Sequence, residues 1–314
     1  MILIFIRYFY NSEFNFQSSL NYSVDVRYCI FRDIHTNNNN GAISMKNEEA
    51  SFYGIGLLFS NCSTDIIVGY FSGGIYFKGT RFELHQSCFF KCVSFHCNAF
   101  CGSASVSFKS RCVYFESCRP LSMTGVGDDG TFAIYSKSPE ISEYNVTKCN
   151  NNEDAACGSF SFYENHGFLK YSYFYNNVGQ GLFLFNSVNE SSFNISHILC
   201  LKCESKHSGI GVIRSIGKIY SSTIDSSAFI NVSFVAFVGS LSTGIPVLKN
   251  SVFSCSSFSN ALLINNVYQS YFFTPLPVSL LNESKCEFTK PFTKLEQKQN
   301  KQYKYIWALF SLCQ

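Results

Sequence analysis

Phe89-Phe90-Lys91-Cys92 comes back through the chain. An apolar residue, two variable residues and then Cys or Asn recur at Phe59 to Cys62, Phe89 to Cys92 and Phe115 to Cys118. Further copies are Val146 to Cys149, Phe174 to Asn177 and Cys200 to Cys203. Looser copies run from Ile30 to Asp33, Ala228 to Asn231 and Val252 to Cys255. Their first residues lie 29, 30, 26, 31, 28, 26, 28 and 24 positions apart. Self-similarity at such a period marks a solenoid, in which each repeat buries its apolar surface against its neighbours.

A second element follows the first seven copies: a Gly and then a short apolar or alternating run. Examples are Gly73-Gly74-Ile75-Tyr76-Phe77, Gly102 to Phe108, Gly158 to Phe162 and Gly181 to Phe185. Ser103 to Phe108 alternates with period two, the periodicity of a strand. A weaker strand-like run precedes many copies, as at Ile55 to Phe59 and Phe193 to Ile198. Three short strands per period, rich in β-branched and aromatic residues, predict one coil of a parallel β-helix. Each strand then pairs with its counterpart one coil on, roughly 4.8 Å away. The reading is all-β: a right-handed parallel β-helix of about nine rungs. The fourth repeat position becomes an inward ladder of Cys62, Cys92, Cys118, Cys149, Asn177, Cys203 and Asn231. An Asn there uses its amide to bond the next rung, and a Cys fills the site as a small buried side chain.

Phe174-Tyr175-Asn176-Asn177 together with Gly73-Gly74-Ile75 resembles the Phe-x-x-Asn and Gly-Gly-Ala-Ile repeat pair of the polymorphic membrane proteins. The chain departs from that pattern in placing Cys where Asn is usual, and it lacks their C-terminal membrane barrel. The Cys-rich form resembles large surface-protein families of protists more closely. The resemblance covers roughly residues 24–264. It implies a right-handed, pectin-lyase-like β-helix and a cell-surface or extracellular adhesion protein. The partner it implies is a glycan or protein ligand on a host cell or in the extracellular space, engaged through variable loops.

Hydrophobic content of 46% supplies a large core, and charged content is only 14%. A net charge of +3 is too small to argue for nucleic acid. Residues 1–23 open on Met1 to Ile6, an apolar run interrupted by Arg7 with no small-residue cleavage site after it. They read as a flank or incomplete first rung rather than a signal peptide; a start inside a longer protein is the alternative. Residues 24–264 form the helix. Residues 265–314 are its exit, with Pro275 and Pro277 breaking the ladder. Lys294, Lys298, Lys301 and Lys304 then recur at helical intervals before the apolar run Tyr305 to Cys313. A helix capping the open end is favoured over a truncated membrane anchor, because about 20 residues are needed to cross a bilayer.

Fifteen cysteines invite three readings: disulfides, metal or a reduced buried stack. The reduced stack is the simplest. Cys200 and Cys203, with His197 and His207 nearby, form a lone pair too sparse for zinc. The β-helix fold also hosts polysaccharide hydrolases and lyases, which is the alternative function. Asp128-Asp129 with His166 faintly resembles the motifs of polygalacturonases, but Asn165 stands where the first Gly of their His motif belongs. Asp128-Asp129 sits among Gly125, Gly127 and Gly130, the composition of a turn. The expectation is therefore no enzyme, no cofactor and no metal. An enzyme would need two or three acidic or basic side chains converging on one outward sheet face. Asn-x-Ser/Thr occurs at Asn21, Asn61, Asn145, Asn189, Asn194, Asn231 and Asn282. Asn231, read as a buried ladder residue, is expected to be a poor glycan acceptor.

Overall fold

The computed structural model describes residues 2–5, 8–10, 14–16, 22–37, 41–65, 71–121, 130–162, 165–207, 211–238, 247–249 and 251–254. The C-terminal cap and Cys255 therefore lie outside the described residues. Every regular element among those residues is a strand. Strand pairing is parallel along the stack, and the chain is a parallel β-solenoid. Ile75–Phe90, Phe100–Glu116 and Val178–Ser196 are long strands that turn corners and keep the same partner strand on either side, with register shifts at Gly79/Arg81 and Ser187/Ser191. The regular stack amounts to about six turns rather than the nine expected. Strand fragments continue its register at both ends, where Tyr8–Tyr10 and Val252–Ser254 pair with the next strands inward.

The column at the centre is set by the repeat. Phe31, Phe59, Phe89, Phe115, Val146, Phe174, Cys200 and Phe229 are register partners, each with the next. The first four rings stack face to face at centroid spacings of 4.8, 4.8 and 5.1 Å. That is the inter-strand spacing of a sheet, so identical side chains in register stack without adjustment. Val146 interrupts the rings. Phe132 and Tyr144 fill the gap it leaves, 5.2 and 5.4 Å from Phe115. Tyr144 is fully buried, and its hydroxyl donates to Ser110 Oγ at 2.7 Å, which removes the cost of burying it.

Three of the looser repeats are one residue out of phase with their sequence reading. Phe31 and Phe229, not Ile30 and Ala228, occupy the column, and Phe253, not Val252, is the register partner of Phe229. The cause is strand alternation: a shift of one residue moves a side chain to the other face. The fourth position shifts with them. Asn231 is exposed, and Val232 takes the inward place.

Each coil bends sharply at single residues with positive φ. One series is Asp33, Asn61, Lys91, Ser117, Lys148, Asn176, Lys202 and Asn231, with φ of 50–55°. A second is Tyr28, Gly56, Gln86, Cys112, Glu143, Tyr171, His197 and Ser226. Left-handed backbone costs about 1–2 kcal/mol for a non-Gly residue. It is offset by a repeated hydrogen bond: Asn61, Lys91, Lys148 and Asn176 each donate their N–H to a carbonyl of the next coil. The residue after each bend points inward, and this creates the ladder.

In that ladder Cys62, Cys92, Cys118, Cys149, Asn177 and Cys203 are all buried. Asn177 holds the coil before it twice. Its Oδ1 accepts the Cys149 N–H at 2.9 Å and its Nδ2 donates to the Val146 carbonyl at 2.8 Å. A serine series serves the second bend: Ser87, Ser172 and Ser227 accept N–H groups of Leu57, Tyr144 and Ile198 one coil back.

Gly73 stands where the chain enters the glycine-led strand. A Cβ there would meet the Cys62 carbonyl oxygen at 2.5 Å and Val93 backbone atoms at 2.8 Å. No flexible side chain can yield to it. Gly73→Ala is expected to destabilise the chain by about 1–3 kcal/mol, read as a lower urea midpoint. An unchanged midpoint would contradict the close approach.

Candidate functional site

The strands entering the ring column carry a polar outward face. Asp25, Tyr53, Glu83, Lys109, Glu140 and Phe168 form one column in register. Arg27, Ile55, His85, Arg111, Ser142 and Lys170 form a second beside it. Their alternate neighbours, Val26, Phe52, Phe82, Leu84, Phe108 and Ile141, are buried, so the period of two sends these charges outward. The face is thus a grid, one residue per coil along each column.

Its charges answer one another. Arg27 binds Asp25 through two hydrogen bonds of 2.7 and 2.8 Å and lies 5.2 Å from the Tyr53 ring centroid. His85 lies 3.8 Å from Glu83 and 5.8 Å, ring to ring, from Tyr53. Lys109 reaches Glu140 at 3.8 Å, and Arg111 Nε donates to Glu143 at 2.8 Å. Glu143 also accepts the Cys112 thiol at 2.6 Å. The bond and charge of Glu143 raise the Arg111 pKa. Pairs this exposed contribute about 0–1 kcal/mol each. The face can therefore be altered without unfolding its support.

His85 is half-buried, and burial lowers its pKa from the ordinary 6.5 against a smaller opposing effect of Glu83. The folded state then binds fewer protons than the unfolded chain at this site. The resulting stability is fully present above the ordinary histidine value and is lost as pH falls through the lower folded one. Between pH 7 and 5 the wild-type urea midpoint is expected to fall more steeply than that of His85→Gln. Parallel slopes would contradict it.

Asp128 and Asp129 lie outside the described residues, so their relation to His166 is not part of the site. His166 is exposed and bonds through Nδ1 to the Ser192 hydroxyl of the neighbouring strand. Cys200 and Cys203 point into the core, whereas His207 is exposed and His197 packs on Tyr171 at 5.0 Å. Among the described residues no three His, Cys, Asp or Glu side chains converge as a metal centre. Of the sequons, Asn61, Asn194 and Asn231 are exposed. Asn231 stands on a bend rather than in the core, and Asn61 donates its amide to Asp33 at 2.7 Å.

The polar face carries a sequence signal that the repeat motif alone missed. Asp25, Tyr53, Glu83, Lys109, Glu140 and Phe168 each stand six residues before a column residue: Phe31, Phe59, Phe89, Phe115, Val146 and Phe174. Fixed distance from the column fixes the side of the coil.

No family model, curated protein or solved structure matches the chain. Among the described residues no helix is long and apolar enough to cross a membrane.

Proposed function

We propose that this chain is a non-enzymatic surface or secreted recognition protein, in which a β-solenoid presents variable loops and the polar face to an extended glycan or protein ligand. The observation that carries the reading is the grid of paired charges and rings from Asp25 to Phe168. It repeats at coil spacing, is half-exposed, and adds little to the fold. An extended partner running along the stack would meet the same kind of contact once per coil. The mutual pairing of these groups supports binding over catalysis, since a general acid or base must be free to take or give a proton. The Phe-x-x-Asn and Gly-Gly-Ile repeats on a parallel solenoid support kinship with the pectin-lyase-like surface families. In sequence, the segments Thr36 to Asn40, Leu121 to Asp129 and Asn150 to Ala156 vary between the repeated elements, and the last of them runs in the strand Asn150–Phe162.

A second reading has its own support. Glu83, His85, Lys109, Arg111 and Glu140 place acidic and basic groups on one outward face, the requirement for a polysaccharide hydrolase or lyase. One experiment separates the two. The tagged chain is located on intact cells by surface protease treatment, then applied to immobilised acidic and neutral polysaccharides and to cell-surface protein. Retention lost in Glu83→Gln/Lys109→Gln/Glu140→Gln, without release of reducing ends or unsaturated sugar, supports recognition. Polysaccharide cleavage abolished by that variant or by Asp128→Asn would establish the enzyme instead. Confinement to the cytosol would end the surface reading.

A further inference from the structure

Cys62, Cys92, Cys118 and Cys149 occupy one inward position in four successive coils. The backbone places them identically. The N–H following each donates to the ladder carbonyl one coil back, Val93 to Cys62, Arg119 to Cys92 and Asn150 to Cys118. Each of the first three thiols bonds a carbonyl of the coil before it: Cys62 to Phe31, Cys92 to Phe59 and Cys118 to Phe89. Cys92 neighbours the thiols of both Cys62 and Cys118, and Cys118 neighbours that of Cys149. Burial pushes the thiols of Cys92, Cys118 and Cys149 well above their ordinary range, so they are protonated at neutral pH.

The twelve described cysteines all carry free thiols. Register explains why the ladder does not close on itself. In-register neighbours have parallel Cα–Cβ bonds, so their Cβ atoms keep the coil spacing of about 4.8 Å. A disulfide needs a Cβ separation of about 3.5–4.5 Å, shorter than that spacing. Two metal–sulfur bonds of the length of a zinc–thiolate bond, about 2.3 Å, laid in a straight line span about 4.6 Å. A linear, two-coordinate ion fits the spacing that a disulfide does not.

We propose that the thiol column Cys62–Cys92–Cys118–Cys149 is a binding site for soft monovalent cations, Cu(I) or Ag(I), each held in line between the sulfurs of two successive coils. Thiol ligands select such ions. Each ion replaces the proton of one thiol and takes a lone pair from the second thiol. One proton leaves per ion bound, and the buried complex stays neutral. Four thiols in two adjacent pairs hold two ions. Zn(II), which requires about four ligands, has no place here, because among the described residues no three ligands converge.

The test uses Ag(I), which needs no reductant. The reduced full chain is folded with Ag(I), stripped with excess glutathione to clear exposed thiols, and weighed by native mass spectrometry. The wild type is expected to retain one ion more than Cys92→Ser and two more than Cys92→Ser/Cys149→Ser, in which no two ladder thiols are neighbours; the buried Cys157 and Cys203, which also neighbour each other, are common to all three. X-ray absorption at the silver edge of the wild-type protein is expected to show two sulfurs in line, which keeps the test decisive if a variant does not fold. No retained Ag(I), a count that ignores the substitutions, three or more sulfurs per ion, or equal retention of Zn(II) would overturn the proposal.

Discussion

Phe89→Ala is expected to lower the unfolding free energy by about 3–5 kcal/mol, whereas Phe90→Ala one residue on is expected to change it by about 0.5 kcal/mol or less. The two rings differ only in the face they occupy. Phe89 is fully buried between Phe59 at 4.8 Å and Phe115 at 5.1 Å, with Phe100 at 6.3 Å. Removing it takes away one ring's burial and both stacking faces, and leaves a cavity that two neighbouring coils line. Those coils relax little, because the same backbone hydrogen bonds fix them above and below. Phe90 is half-exposed, with the Lys91 ammonium 5.0 Å from its centroid. Urea unfolding of the two variants measures the contrast. Because coil stability in a solenoid is passed between nearest neighbours, the Phe89 loss is also expected to separate unfolding into two steps. Equal losses for the two variants would mean that the alternation assigned to this strand is wrong.

Asn177→Leu is expected to bring a loss of similar size, roughly 2–6 kcal/mol, from two buried backbone groups left unpaired at about 1–3 kcal/mol each. The amide of Asn177 closes the Cys149 N–H and the Val146 carbonyl, both in the neighbouring coil. Leucine matches the volume and supplies neither bond. Asn177→Cys, the residue found elsewhere on the ladder, is expected to cost less than Asn177→Leu because a thiol can still donate to the carbonyl, as Cys118 does to Phe89. Thermal melts of the pair check the order. A leucine variant as stable as the wild type would show that the ladder amide does not hold the coils together.

The repeat made the fold legible because the physical constraint is periodic. Residues that stack at Phe59, Phe89, Phe115 and Phe174 must recur, and so must the bend that turns the next residue inward. Where the column residue was an unmistakable Phe followed three positions later by Cys or Asn, the reading met the structure. At Phe31 and Phe229 the neighbours Ile30 and Ala228 are apolar too, and the fourth positions are Ile34 and Val232. With two adjacent apolar residues the motif cannot choose the face, so its phase is off by one and it places Asn231 in the core. The bends were hidden for another reason. Lys91, Lys148, Tyr171 and Lys202 are not residues that favour positive φ, and only their shared place in the coil puts them there. The polar face was written at constant distance from the ring column. No motif marks it, because Asp25, Tyr53, Glu83 and Lys109 share no chemistry, only position.

The stack itself is best tested by distance. Asn61, Lys91, Lys148, Asn176, Lys202 and Asn231 are exposed bend residues of one series. Spin labels carried on unnatural amino acids, which spare the cysteines, can be placed at Asn61 paired in turn with Asn176, Lys202 and Asn231. These pairs span four, five and six coils, so pulsed electron–electron resonance is expected to give separations rising by about 4.8 Å per coil, near 19, 24 and 29 Å. Separations that do not climb with coil number, or that follow sequence distance instead, would contradict in-register stacking.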